Sequence, residues 1–330
     1  MKIIDLFSGI GGFCRGFQQA GCQFTEHYFS EIDKHAIANY KHNFPNAKYI
    51  GDITTIHPAD IAGADIITFG SPCQDFSLAG KRAGLAGAKS SLIEYAIALI
   101  AHVRPSIFIW ENVKGAFSSN AGADFWAILQ AFANIGGYRI EWQLLNTSWL
   151  LPQNRERIYL VGHLAGRSVP RVFPIGENDF VPTTKSKSQS QTQISGTIKA
   201  NGNMNQDDTY IIQKKAGTLT GGGKSGGLHS DMTVIRQLPR GKNKGADLTI
   251  CPTISSNAFQ ENNLLGGIRR LTEIECERLQ GFPDNWTQYG NYDGTIKPIA
   301  KTQRYKLIGN AVTVDIVELI AKRLKLKNNE

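Results

Sequence analysis

The sequence predicts an α/β fold: a mostly parallel sheet wrapped by helices, with a smaller loop-rich second unit. Three observations lead there. Short apolar runs rich in Ile, Phe and Tyr alternate with longer helical patterns from the start to about Leu164; the stretch from Gly166 to Ile268 breaks that rhythm; and helical patterns resume from Arg269. Alternation of this kind is the mark of βαβ units, in which each parallel strand needs a crossover before the next.

Strands are expected at Ile3–Phe7, Phe24–Ser30, Asp65–Phe69, Ser106–Trp110, Tyr138–Leu145 and Arg157–Val161. Helices are expected at Phe13–Ala20, Lys34–Asn43, Ser91–Val103 and Asp124–Ile135. From 166 to 268 the chain turns to Gly, Ser, Thr, Asn and Gln and carries GGGKSGG at Gly221–Gly227. SGTIKA at Ser195–Ala200, AGTLTG at Ala216–Gly221 and CPTISS at Cys251–Ser256 each read as a turn followed by a β-branched or apolar residue, which favours short strands over a bare linker. In LTEIECERLQGF, Thr272 and Glu275 stand at capping-box spacing and start a helix, and a last amphipathic helix is expected over Val314–Leu324. The organisation is therefore 1–165 as the first part of one domain, 166–268 as a lodged second unit, and 269–330 as a C-terminal part whose last helix returns to the first.

A chain of 330 residues with 41% hydrophobic content can build a sizeable core, and no apolar run approaches the ~20 residues of a membrane span. The start MKIIDLF enters a strand without a signal-peptide layout, so a cytoplasmic protein with no membrane association is expected. The net charge of +8 suits a polyanionic partner. Between 166 and 268 twelve Lys and Arg face seven Asp and Glu, so much of the surplus sits in the second unit. The five cysteines, Cys14, Cys22, Cys73, Cys251 and Cys276, show no zinc-ligand spacing, and reduced thiols without a metal site are expected.

The first expected strand runs into DLFSGIGGF, Asp5 to Phe13, which places glycines where a strand turns into a helix. Glycine lets backbone approach a ligand there, and the helix start offers unpaired N–H groups. The spacing is not GxGxxG, which suits a nucleoside cofactor better than a dinucleotide and argues against a nicotinamide oxidoreductase. Glu31 in FSEID stands where such folds keep a ribose-hydroxyl acceptor, and Asp52 in GDIT is placed to accept from an adenine amino group. DIITFG runs into SPCQDFS and delivers Cys73 to a loop at the carboxyl end of a strand, where open α/β sheets hold ligands.

Taken together, DLFSGIGGF, GSPCQDFS, ENV at Glu111–Val113, QNRERIYLVG at Gln153–Gly162, RRLTEIECERLQGFP at Arg269–Pro283 and GNAV at Gly309–Val312 resemble the motifs of the C5-cytosine DNA methyltransferase family, of the bacterial restriction-modification type, in that family's order. The resemblance covers nearly everything outside the Gly166–Ile268 stretch. It implies a Rossmann-like S-adenosylmethionine-dependent methyltransferase fold, with 166–268 as the target-recognition domain and S-adenosylhomocysteine as product. It also implies that Cys73 is the nucleophile, that Glu111, expected to end the strand IFIWE, acts at the base N3, and that Arg157, supported by Arg155, faces the base O2. Phe7, Ser8, Gly9, Ile10 and Gly11 are implied around the cofactor, with Glu31 at the ribose, Asp52 and Ile53 at the adenine, Pro72 and Leu92 lining the pocket, and Asn310 and Val312 closing it.

The implied substrate is a cytosine flipped out of double-stranded DNA. Gln74, Ser77, Lys81, Arg82 and Thr253 are the expected DNA contacts. Gly80, Lys81, Gly84 and Gly87 interrupt the loop after Cys73, which is expected to move, and Lys81 and Arg82 are placed to close over phosphates. The family commonly uses a Thr followed by Ile or Leu to hold the opened DNA; Thr197-Ile198, Thr218-Leu219 and Thr253-Ile254 all qualify, and Thr253 is preferred because it lies nearest the following motif. A monomer is expected, with a cognate restriction endonuclease acting separately. Two alternatives stay open: a tRNA cytosine methyltransferase of the same family, and a catalytically silent DNA-binding relative.

Overall fold

The computed structural model describes residues 1–71, 92–117, 122–166, 170–176 and 271–326, and the backbone of five short strands between 235 and 270. The expected alternation produces β1 (Lys2–Leu6), α1 (Gly12–Gln19), β2 (Glu26–Ser30), α2 (Lys34–Asn43), β3 (Lys48–Tyr49), β4 (Ile66–Phe69), α3 (Leu92–Val103), β5 (Ile107–Val113), α4 (Ala123–Asn134), β6 (Tyr138–Asn146), β7 (Gln153–Asn154) and β8 (Glu156–Leu164). Seven of these strands form one sheet in the order β3-β2-β1-β4-β5-β8-β6. Pairing is parallel from β3 to β5, and β8 runs antiparallel to both its neighbours.

Two local differences from the sequence reading matter. Strand β5 does not end at Glu111 but continues to Val113, because β8 offers it a ladder all the way to the Val113–Arg157 pair. Glu111 is thus held on both sides by a paired strand. Strand β3 was not expected, since two residues carry no readable period.

Alternate residues of β1 feed opposite faces of the sheet, as strand geometry requires. Ile3 joins Phe13, Phe17, Phe29 and Tyr40 on one side, and Ile4 and Leu6 join Ile67, Phe69, Phe108, Trp110 and Phe132 on the other. Each such side chain contributes roughly 1.5–3 kcal/mol when fully buried.

The 166–268 stretch contributes β9 (Ile235–Gln237), β10 (Ala246–Leu248), β11 (Cys251–Pro252) and β12 (Asn263–Leu265), followed by β13 (Arg269–Arg270). Four of them form a sheet in the order β10-β9-β12-β13, while β11 pairs in parallel with β7. Thr197, Thr218 and Thr253 lie outside the described residues. Near the start of the 166–268 stretch, Val172, Phe173 and Ile175 pack into the first core, held by Arg323, which donates to the carbonyls of Val172 (2.8 Å) and Pro174 (2.7 Å).

The chain then forms α5 (Glu273–Leu279), the hairpin β14 (Tyr289–Tyr292) and β15 (Thr295–Pro298), α6 (Lys301–Asn310) and α7 (Val314–Leu324). Thr272 caps α5 in the expected capping box with Glu275. Helix α7 lies against α1, and Gly16 permits the contact: a Cβ there would stand 2.6 Å from Val317 Cβ. The last helix therefore closes the core that the first strand opens.

Beneath the first turn lies a buried polar cluster. Asp5, fully buried, accepts from Thr68 Oγ1 (2.8 Å) on one oxygen and from Tyr40 Oη (3.1 Å) and Cys14 Sγ (3.6 Å) on the other. His27 Nε2 stands 2.7 Å from Tyr40 Oη. Burial pushes the Asp5 carboxyl up to about 7 and holds the His27 imidazole down at about 4.

The folded state thus keeps a proton on Asp5 that the unfolded chain releases near pH 4, so Asp5 removes stability as pH rises through that window toward 7. His27 acts with the opposite sign between about 4 and 6.5 in any variant that retains it. Asp5→Asn is therefore expected to gain stability relative to the parent between about pH 5 and about pH 8. Paired urea titrations across that range check this, and a pH-independent difference contradicts it.

Candidate active site

The turn after β1 is shaped by three left-handed residues: Phe7 (φ 50°), Gly9 (φ 54°) and Gly11 (φ 83°). Phe7 adopts this backbone despite its side chain, and Ser8 N donates to Ser30 O (3.0 Å), tying the turn to the end of β2. At the end of that strand, Glu31 holds its carboxylate with three backbone N–H groups: Gly9 on Oε2 (2.9 Å) and Ile32 and Asp33 on Oε1 (2.8 and 3.0 Å). The carboxylate is thereby turned toward Gly9, and it keeps lone pairs for an incoming hydroxyl.

Around the same turn, Phe7 and Leu92, the first residue of α3, are partly buried and pack with buried Ile53 in the second core. Asp52 caps the short 3-10 turn Ile53–Thr55, accepting from Thr54 N (2.9 Å) on Oδ1. Buried Ser8 Oγ has no hydrogen-bond partner among the described residues, and the space beside Gly9 is open. A turn with an orphaned hydroxyl, a fixed carboxylate and apolar neighbours fits a nucleoside such as that of S-adenosylmethionine.

The second half of the site is built on β5 and β8. Glu111 and Arg157 lie near one another across the antiparallel ladder, and Arg157 Nε stands 3.2 Å from Glu111 Oε1. The N–H does not point along that line, so Oε1 accepts no hydrogen bond among the described residues. Burial raises the Glu111 pKa, and the charges of Arg157 and Arg155 offset only part of that rise. The result is a carboxyl group inclined to hold its proton beside a guanidinium.

Arg155 is buried and reaches across to the chain's far end, donating to Gly309 O (3.3 Å) and Ala311 O (2.7 Å). Burial and the like charge of Arg157 lower its pKa to about 9. In GNAV, Asn310 is exposed at the end of α6, while the Val312 carbonyl lies against Gly12, where a Cβ would stand 2.7 Å away. The turn holding Ser8 and Ile10, the end of β5, and the C-terminal loop therefore meet at the carboxyl edge of the sheet.

Pro72, Cys73, Gln74, Ser77, Lys81 and Arg82 lie outside the described residues. What leads to them is well defined. Ser71, the residue before Pro72, accepts from Trp110 Nε1 (3.0 Å) at its hydroxyl and from Asn112 Nδ2 (3.1 Å) at its carbonyl. A Cβ on Gly70 would stand 3.2 Å from Glu111 Oε2. Two residues ahead of Cys73, the chain is thus pinned to the strand that carries Glu111. The sequence reading overlooked Ser71, Trp110 and Asn112 as anchors; the Asn of ENV was the available signal.

A model of the C-5 cytosine-specific DNA methylase family matches residues 1–326. The chain belongs to that family. The type II methyltransferase M.NgoBI of Neisseria gonorrhoeae is 32% identical over 330 residues, covering 97% of this chain and 92% of the relative. M.NlaX of Neisseria lactamica, also a type II methyltransferase, is 32% identical over 336 residues, covering 98% and 96%. The solved structure of the S. pombe Dnmt2 methyltransferase superposes with a TM-score of 0.62 at 18% identity over 98% of both chains, which supports the methyltransferase fold.

In this methylase the Gly12–Val312 contact leaves no room for a side chain. Gly12→Ala is expected to displace the C-terminal loop from the turn after β1 and cost about 1–3 kcal/mol. Chemical denaturation checks this; an unchanged midpoint contradicts it.

Proposed function

We propose that this DNA cytosine-5 methyltransferase acts on a cytosine flipped out of double-stranded DNA, through a covalent bond between Cys73 Sγ and C6 of the base. The observation that carries the reading is buried Glu111 paired with partly buried Arg157, beside Ser71, which is anchored two residues before Cys73. C5 of cytosine is a weak nucleophile, and adding a thiolate at C6 makes it enamine-like. As the thiolate attacks, negative charge grows on N3 and O2. Glu111, whose pKa burial raises, gives a proton to N3, and Arg157 faces O2.

S-adenosylmethionine supplies an electrophilic methyl for C5 when held by Phe7, Ser8, Gly9, Ile10 and Gly11, with Glu31 at the ribose, Asp52 and Ile53 at the adenine, and Pro72, Leu92, Asn310 and Val312 around the pocket. Loss of the C5 proton to a base, with water as a candidate, then expels the Cys73 thiolate, and the N3 proton returns to Glu111. Arg155 supports Arg157 by fixing the strand end that carries it.

The flipped base requires the stack to be opened, at a few kcal/mol, and contacts to the DNA backbone offset that cost. Gln74, Ser77, Lys81 and Arg82 are assigned to that task. So is Thr253, which directly follows β11; the pairing of β11 with Gln153–Asn154 supports this choice among the three Thr pairs. The recognition domain is assigned to 166–268. One chain supplies every residue named, which favours a monomer acting in the cytoplasm. The type II naming of the relatives supports a separate cognate endonuclease. No helix among the described residues is long and apolar enough to cross a membrane.

Cys73→Ala is expected to abolish methyl transfer while leaving S-adenosylmethionine binding within about twofold, since the thiol serves the base. Labelled-methyl incorporation by that variant, assayed on duplex DNA and on tRNA, tests the mechanism, and the parent's preference between the two decides the substrate. Bisulfite sequencing of DNA from expressing cells reads the target sequence. Glu111→Gln is expected to lower kcat by roughly 10²–10⁴. In the parent, kcat falls as pH rises through the raised Glu111 pKa; the Gln variant, with no proton to lose there, lacks that alkaline limb. A limb common to both variants removes Glu111 from the role.

A further inference from the structure

Thr313 stands at the N-cap of α7, yet its side chain caps nothing there. Threonine at an N-cap ordinarily accepts from a backbone N–H two or three residues on. Here the hydroxyl is diverted sideways: Thr313 Oγ1 donates to Gln280 Oε1 (3.1 Å) and stands 2.9 Å from Thr147 Oγ1. One hydroxyl has one proton, so with Gln280 as its acceptor, Thr313 accepts from Thr147. Gln280 in turn donates through Nε2 to Ile308 O (3.4 Å), and its backbone carbonyl accepts from Val314 N (3.0 Å). Gln280, Thr313 and Thr147 are all at most 2% exposed.

This directed chain surrounds one short loop. Residues 309–312 are held from one side by Arg155, through the Gly309 and Ala311 carbonyls, and from the other by Gln280 through Ile308 and Val314. Thr313 is the member that joins the two sides. Thr147 belongs to the same corner as Arg155: its N–H donates to Arg155 O (2.9 Å). The loop so fixed presses the Val312 carbonyl onto Gly12 and brings Val312 Cγ2 within 4.0 Å of the position a Cβ on Gly70 would take. It therefore borders both the cofactor turn and the approach to Cys73.

We infer that Thr313 is a positioning residue for cofactor binding: its hydroxyl, shared between Thr147 and Gln280, sets residues 309–312, the end of α6 and the link to α7, against the Gly9–Gly12 turn. The assignment rests on the reading of that turn as the S-adenosylmethionine site. It uses a residue that never touches the cofactor and acts only through Val312 and Asn310. Helix capping is forgone at this position in return for a fixed loop.

The test compares Thr313→Val, Thr313→Ser and Thr147→Val in the full chain, with calorimetric S-adenosylhomocysteine binding and separate KM values for S-adenosylmethionine and duplex DNA. Removing a buried donor leaves its acceptor unsatisfied, so Thr313→Val is expected to raise the cofactor Kd and KM about tenfold, with the DNA KM within twofold. Thr313→Ser, which keeps the hydroxyl, returns to within about threefold of the parent. Thr147→Val moves the cofactor constants in the same direction. Cofactor constants unchanged in a folded Thr313→Val, or cofactor and DNA constants rising in parallel, overturn the assignment. If Thr313→Val does not fold, Thr147→Val decides: a selective rise in cofactor KM supports the role, and parent-like values overturn it. A parent that binds no S-adenosylhomocysteine removes the cofactor reading itself, which is a separate result.

Discussion

The buried guanidinium of Arg155 holds two distant parts of the chain in one place. A cation out of water needs every donor directed, and Arg155 spends two on backbone carbonyls more than 150 residues away in sequence, at Gly309 and Ala311. Burial and the neighbouring Arg157 both weaken its hold on its proton, and Glu111 counters them. The three groups form one electrostatic unit, since removal of any one changes the cost of burying the others. Through that unit the C-terminal loop is fixed over the sheet edge where the first strand turns.

From this follows the division of labour at the site. One side is the Glu31 carboxylate, held in place by three backbone N–H donors beside the glycine turn. The other is a carboxyl group deprived of such donors, Glu111, whose burial favours the protonated form. The same functional group is oriented by backbone donors in one place and has its pKa raised by burial in the other. Ser71, two residues before Cys73, is anchored to the strand of Glu111.

Much of this was readable in the residues. The βαβ alternation located all six expected strands to within a few residues, and the spacing of Thr272 and Glu275 announced the cap that begins α5. Glu31, Ile53, Leu92 and Val312 were expected as cofactor contacts; the fold places Glu31 at Gly9, Ile53 and Leu92 in the same apolar cluster as Phe7, and Val312 against Gly12. DLFSGIGGF, GSPCQDFS and ENV each stand at or just after the carboxyl end of a parallel strand, and parallel strands deliver those ends to one edge, whereas QNRER opens the antiparallel β8, RRLTEIECERLQGFP spans α5 and GNAV ends α6.

The sequence by itself determined the fold class, the family and the residue types available for chemistry, since hydrophobic period and local motifs are properties of neighbouring residues. Only the tertiary structure decided what those residues became. Glu111 sits within a strand rather than at its end because β8 pairs with β5 through Val113, and its raised pKa comes from burial among residues distant in sequence. Thr313, read locally, is an ordinary helix cap; its hydroxyl turned elsewhere because Gln280 and Thr147, 33 and 166 residues away, were brought within reach of it. Burial and long-range hydrogen bonding depend on which segments fold together, and no local pattern in a chain records that.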